Sequence, residues 1–491
     1  MRSLLKKFYP FFTILVFFYW GCEDSVNEDT TPPTVSIQSP ITNQAVNEMV
    51  TIIVNANDNK GIDRVEFYID DSLFFTDIES PYQYEWNTTI FENNSEHTIK
   101  VICYDNSGNF TISQLVYVQI DNAALFFTQV YGGDEFDYGY SVQQTTDEGY
   151  IITGGTNSFG GDDSDIWLIK TDSQGDEEWN QVFGGDDYDI GMSVKHTADG
   201  GYIITGTTSS YGNTGSDIWL IKTDSQGNEE WNQTYGGTSS DYGYSVQQTT
   251  DEGYIITGYT MSYGSGGLDV WLIKTDSQGN EEWNKVYGGT YDDAGHSVQQ
   301  TADEGYIITG ITKSYGGGGS DVWLIKTDSQ GNEEWNKTFG GNALDAGSSV
   351  QQTTDGGYII TGYTGSWGFG GAKAWLIKTD SQGNEEWNRE FGRNGDSAAE
   401  HIQQTIDGGY ILSGGTYTPG SDWDTWLIKT DSQGNEEWNQ IYGGTVYDFS
   451  YSVQQTTDGG YIITGNTYSY GSGSSDIWLF KTDPEGNMET R

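Results

Sequence analysis

DIWLIKTDSQGNEEWNQTYGG, residues 217–237, reads as two β-strands joined by a five-residue turn, and close copies of it run through most of the chain. Its tryptophan, Trp219, recurs in the same phrase as Trp167, Trp271, Trp323, Trp375, Trp426 and Trp478, at spacings of 52 residues with a single 51. A fixed period of this length is the mark of repeated supersecondary units. Each full copy ends in E-E-W-N-x-x-(Y/F)-G-G, as at Glu177–Gly185, but the seventh copy reaches Arg491 without that ending. The fragment stands ahead of the first copy instead, at Leu125–Gly133 (LFFTQVYGG). A linear array has no use for such a split, whereas a closed ring uses it to hold its two ends together.

Each copy contains four strand-like stretches. In the second copy strand a is Ser193–Thr197, and the turn Asp199–Gly201 leads to strand b, Tyr202–Gly206. The loop Thr208–Ser216 precedes strand c, Asp217–Thr223, and the turn Asp224–Asn228 leads to strand d, Glu229–Tyr235. Gly227 supplies the positive φ that so tight a turn demands. Strands b and c are apolar on both sides of the pleat (Ile203, Ile204, Trp219, Leu220, Ile221), the pattern of a sheet covered on both faces. Four antiparallel strands taken seven times predict a seven-bladed β-propeller over residues 124–491, closed by an N-terminal strand. The phrase KTDSQGNEEW (residues 222–231) resembles the tryptophan-docking motif of pyrroloquinoline-quinone-type propellers and, more loosely, the Asp-box of sialidases. Its spacing is one residue short of the first and one long of the second. What the resemblance implies is a turn with a docking tryptophan, not a cofactor or catalysis. The repeat as a whole resembles those of uncharacterised exported bacterial proteins.

At the other end Arg2, Lys6 and Lys7 precede the apolar run Phe8–Trp20, which Gly21-Cys22 closes. Thirteen residues fall short of the roughly 20 that span a bilayer and match the core of an export signal. This segment resembles a bacterial lipoprotein signal, with Tyr19 and Trp20 bulkier than is usual there, and Glu23-Asp24 resembles the acidic tag of surface lipoproteins in the Bacteroidota. The resemblance implies a signal over residues 1–22 with Cys22 lipidated. The location implied is the outer membrane, surface-exposed or else facing the periplasm. Residues 23–33 end in Thr30-Thr31-Pro32-Pro33 and read as a tether. From 34 to 121 short alternating runs (Val50–Val54, Val65–Ile69, Ile99–Tyr104, Leu115–Ile120) separated by Asp/Asn/Gly turns predict a β-sandwich of about seven strands. Gly61–Tyr68, Pro81-Tyr82, Trp86 and His97–Val101 resemble a bacterial immunoglobulin-like domain, which implies a spacer or a weak binder. Cys103 is the one cysteine after Cys22, so a buried thiol and no intrachain disulfide is expected.

The balance of 72 acidic to 21 basic residues, net -51, speaks against nucleic-acid partners and against anionic lipid surfaces. Membrane contact is therefore expected through the lipid anchor alone. Tryptophans that recur in every copy are expected to pack. Loops b–c and d–a emerge on one face, carrying the aromatics Phe159, Tyr211, Tyr263, Tyr315, Trp367 and Tyr470. Asp165, Asp217, Asp269, Asp321, Asp424 and Asp476 precede strand c there, and Asp137, Asp189, Asp241, Asp293, Asp345 and Asp448 lie between d and a. These aspartates either cap backbone amides or hold sugars with the help of calcium. No other cofactor is expected. Departures from the repeat gather in copies five and six, where Trp367, Lys373, Arg393, His401 and Trp423 are all expected to project to the loop face. A cationic, indole-lined notch there suits a carboxylated or sulfated glycan or an acidic peptide. His196, His296 and His401 stand at scattered registers, Arg389 and Arg393 alone do not make an arginine triad, and no catalytic or histidine metal site is expected. The sequence thus predicts a monomeric, surface-anchored, non-catalytic binding lipoprotein whose propeller face takes a glycan or protein ligand. An envelope scaffold and a glycan-active propeller enzyme are the alternatives.

Overall fold

The computed structural model describes residues 29–46, 49–88, 90–91, 95–120, 126–161, 163–366, 371–392, 396–417 and 422–488. Cys22, Trp367 and Arg393 lie outside them. The described chain is all-β, with no helix long and apolar enough to cross a membrane, and it divides into units of residues 1–123 and 124–491. The described residues of the first unit form nine strands in a three-stranded and a six-stranded sheet, where alternation suggested about seven. The two shortest, Gln44–Val46 and Phe110–Ile112, are three-residue edge pieces that leave no periodic trace. Ile52, Val65, Phe67, Trp86, Ile99, Val101 and Cys103 are fully buried between the sheets. Burial pushes the Cys103 thiol up to about 11, which keeps it protonated and inert.

The second unit is seven four-stranded antiparallel sheets. In sheet 2 the strands are Asp189–His196, Tyr202–Thr208, Asp217–Thr223 and Glu229–Tyr235, in chain order. Sheet 7 takes three strands from the last copy and its fourth, Thr128–Tyr131, from the start of the unit, with Val130 opposite Trp478. The borrowed strand works residue by residue as a strand d. In sheets 1 to 6 the strand-c indole donates to an asparagine of strand d, as Trp219 does to Asn232 at 3.1 Å. In sheet 7 Trp478 donates to Thr128 Oγ1 at 2.8 Å. The strand-d tryptophan of one sheet docks on the turn glycine of the next. Gly331 sits at φ 71°, and a Cβ there would come within 2.6 Å of Trp283. Phe127 holds that place against Gly175.

Strands b and c are buried on both faces because each face belongs to a different core. Tyr202, Ile204, Trp219 and Ile221 pack with Ile151, Ile166 and Leu168 of sheet 1, while Ile203, Ile218 and Leu220 pack with Ile256, Trp271 and Ile273 of sheet 3. Seven sheets in a line share six such cores. Here there are seven, since Ile462, Ile477 and Leu479 of sheet 7 pack with Tyr150, Ile152, Trp167 and Ile169 of sheet 1.

A charge is threaded through each sheet as well. Lys222 is 3% exposed, and its ammonium lies 3.0 Å from Asp199, 2.8 Å from Glu230 and 2.9 Å from the Thr223 carbonyl, to which it donates. A buried lysine is tolerated when it is paired and hydrogen-bonded. The same arrangement recurs at Lys170, Lys274, Lys326, Lys378 and Lys429. Lys481 in sheet 7 pairs with Asp458, and the borrowed strand brings Phe126 where the other sheets have a second glutamate.

Candidate functional site

Strand a reads D-x-G-x-S-V-Q-Q in most copies. In all seven sheets its register against strand b shifts between the third and fifth residues, as between Gly139 and Ser141. The fourth residue is therefore the extra one of a β-bulge, a device that re-aims a side chain. Those residues are Tyr140, Met192, Tyr244, His296, Ser348, Glu400 and Tyr451, and all seven line one cavity of about 650 Å³. Its five residue types, against four at the second residue (as in Tyr138, Ile190, Ala294 and Phe449) and two or three elsewhere, make the fourth the most varied position of strand a.

The two glutamines that end strand a do the opposite and are spent on joining sheets. The first accepts from a backbone amide of the next sheet, as Gln299 does from Gln352 and Gln454 from Gln144, each at 2.6 Å. The second accepts from the turn of the preceding sheet, as Gln300 does from Thr250 at 2.9 Å and Gln144 from Thr457 at 3.0 Å. Sheet 2 breaks both habits with Lys195 and His196. An ammonium has no acceptor, so Lys195 cannot make the clasp that six glutamines make. It lines the cavity instead.

Desolvation inside the cavity sets the charge states. It lowers the Lys195 pKa and raises that of Glu400, which Ser348 partly offsets by hydrogen bonding. It pulls His401 down to about 4, with help from the Lys195 charge, and lowers His296 against the bond to the Gly347 carbonyl at 2.9 Å. Both imidazoles are thus neutral at pH 7, and His401 Nδ1 has no hydrogen-bond partner. An aromatic wall runs from sheet 1 across sheet 7 to sheet 6. Tyr140 meets Tyr451 edge-on at 4.9 Å, Tyr451 meets Phe449 at 5.1 Å, and Phe449 meets Trp423 at 5.7 Å. Across the cavity Tyr244 contacts His296 at 5.5 Å and Tyr259 at 5.8 Å. Chemically this is a set of aromatic faces with amide, hydroxyl and imidazole groups, the Met192 thioether, the Glu400 carboxyl and the Lys195 amine among them.

Of the five residues expected to form a notch on the loop face, three can be placed. Trp423 is half-buried on Phe449 and so joins the wall. Lys373 is buried at the start of strand c, where it and Ser397 flank Gly392. His401 does not share a face with Lys373; it lines the central cavity, which corrects the expectation. Strand a begins at Ser397, four residues before the point from which its alternation was read, so His401 is a mid-strand residue. The ring aspartates are held by loop amides and hydroxyls, Asp189 Oδ2 accepting from Gly185 N at 2.9 Å and Ser210 Oγ at 2.7 Å, while the buried Oδ1 of Asp189 and of Asp217 has no hydrogen-bond partner. The loop tyrosines rest on the strand-c tryptophans, Tyr211 on Trp219 at 5.1 Å with its hydroxyl donating to Gly184 O. Lys195 and the bulge ring were missed, although the variable fourth residue is visible in the sequence.

Residues 33–101 match the bacterial Ig domain family, and the first unit accordingly contains a bacterial Ig-like domain. The chain is also similar to fibronectin(III)-like modules of Clostridium thermocellum CbhA, at 30% identity over 18% of this chain and 96% of that one, with a TM-score of 0.15. It is similar to the polysaccharide lyase Uly1 at 11% identity over 72% and 91% of the two chains, TM-score 0.43. A Synechocystis apocarotenoid oxygenase is 11% identical over 83% and 97%, TM-score 0.37. Scores of this size make no case for a shared fold or activity. No curated protein matches the chain.

Proposed function

We propose that residues 124–491 form a seven-bladed β-propeller whose central cavity binds a carboxylated glycan without transforming it, on a lipoprotein held at the cell surface through Cys22. The observation that carries this reading is the bulge ring: seven re-aimed side chains of five kinds facing one cavity. Its volume of about 650 Å³ falls in the range of small-ligand sites, which combine apolar walls with a few placed polar groups. Tyr140, Tyr244 and Tyr451 offer amphipathic faces to sugar rings. Lys195 supplies a charge-assisted donor for a ligand carboxylate. The borrowed strand and the core between sheets 7 and 1 support closure.

Glycan-array screening of the full chain, followed by titration of each hit, tests the proposal. Tyr140→Ala with Tyr451→Ala is expected to weaken a hit at least tenfold, and unchanged affinity would remove the cavity from consideration. Lys195→Gln gives a second, separable prediction. Restoring the clasp is expected to stabilise the repeat unit by about 1 kcal/mol in urea unfolding, while affinity for a carboxylated ligand drops. A loss of stability in that variant would make Lys195 a structural residue.

A further inference from the structure

The first unit contains a cluster that neither the sandwich nor the proposed propeller uses. We infer that Asp29, Asp58 and Asp105 form a calcium site at the entry to the Ig-like domain. One carboxylate oxygen from each lies within 4.8 Å of the other two, and among the described residues this is the one place where three such groups meet. Asp29 is 9% exposed, and its Oδ2 accepts no hydrogen bond; neither does the buried Oδ1 of Asp58. The remaining oxygens are held by amides. Asp29 Oδ1 accepts from Thr31 N at 3.1 Å, and Asp58 Oδ2 from Lys60 N at 2.7 Å and Gly61 N at 3.0 Å. Asp105 Oδ1 accepts from Ser107 N at 2.8 Å and Asn109 N at 2.9 Å, and its Oδ2 from Asn109 Nδ2 at 2.8 Å. Each carboxylate is thus fixed in place, while two buried oxygens are left without the hydrogen bonds that normally compensate burial.

A cation compensates them. The donors are all oxygen, with no histidine or thiol, which selects a hard ion. They come from three separate segments: the stretch before Thr34–Ser39, the turn after Met49–Asn57, and the end of Glu96–Asp105. Calcium accepts such irregular sets, completing six to eight ligands with carbonyls and water, whereas magnesium demands near-ideal octahedral geometry. Asn109 Nδ2 also donates to the Asp29 carbonyl at 2.9 Å, so the ion would fasten the segment entering the domain to two of its turns.

Calorimetric titration of the EDTA-treated full chain with calcium chloride is the test. One calcium per chain is expected, with magnesium binding at least tenfold more weakly and the melting transition of the first unit rising by at least about 5 °C. Asp29→Asn, which lies outside both sheets and leaves them intact, is expected to weaken calcium at least tenfold, as is Asp29→Asn with Asp58→Asn. No binding up to millimolar calcium, equal affinity for magnesium, or unchanged affinity in both variants would overturn the assignment.

Discussion

Deleting Phe126–Tyr131 is expected to destabilise residues 132–491 by about 5 kcal/mol, although the deletion lies outside all seven copies of the repeat. Strand Asp476–Thr482, buried at every position, would become an edge, and Trp478 would lose Thr128 as the acceptor for its indole. Tyr131 is buried and its hydroxyl donates to Gly175 O of sheet 1; Phe127 fills the docking place on the same glycine. Burial of Tyr131, Phe127 and Val130 contributes roughly 1.5–3 kcal/mol for each fully covered side chain, less where coverage is partial. An exposed, flat edge also invites pairing between chains. Urea unfolding is expected to show the loss, and light scattering after size exclusion to show association. Phe126→Glu should move the other way by a few tenths of a kcal/mol, because it offers Lys481 the second carboxylate that six other lysines have. A deletion as stable and as monomeric as the whole chain would contradict closure through this strand.

That the fourth strand of sheet 7 could be located from sequence follows from the strictness of the repeat, since LFFTQVYGG matches the strand-d phrase of the other copies. Apolar residues on both sides of Ile203-Ile204 and Trp219-Leu220 likewise reported two cores per sheet, because burial on both faces abolishes alternation. The site was less legible. A bulge adds one residue without any change in composition, so straight alternation through D-x-G-x-S cannot say that Tyr140 or Glu400 turns into a cavity. The ion pairs of Lys222 with Asp199 and Glu230 join residues 23 and 8 positions away, and their pattern hides behind the constancy of all three. Lys373 attracted attention as a lone cation, yet its meaning is local: it and Ser397 replace a pair of aspartates that other sheet boundaries carry.

Those aspartate pairs are expected to make the repeat unit more stable in mild acid than at neutral pH. Asp165, Asp217, Asp269, Asp321 and Asp476 are buried, and each feels the charge of an aspartate in the adjoining sheet, as Asp476 feels Asp137. Burial first and the neighbouring carboxylate second raise all five, Asp476 to about 6, against one opposing backbone hydrogen bond each. A carboxyl raised above its unfolded value favours the folded state fully below about 4, and that contribution is lost as pH rises through the folded value. The aspartates beside the buried lysines have the opposite sign. Burial pushes Asp199 and Asp355 upward, but Thr hydroxyls, lysines and amides outweigh it and hold both at about 2, so their contribution is fully present above about pH 5 and is lost as pH falls through about 4 towards 2. Between pH 7 and 5 Asp476 alone is expected to add about 1 kcal/mol, with smaller additions from the other four. Relief of repulsion at a net charge of -51 acts in the same direction but is screened by salt. The decisive comparison is therefore Asp476→Asn in 0.5 M sodium chloride. The amide oxygen can still accept from Ser472 N, as Asp476 Oδ2 does at 2.9 Å. The variant is expected to be more stable than the parent at pH 7 and to gain about 1 kcal/mol less on acidification. Parallel pH profiles for the two proteins would show that this pair does not govern the titration, since removing one buried carboxylate must otherwise remove its share of the slope.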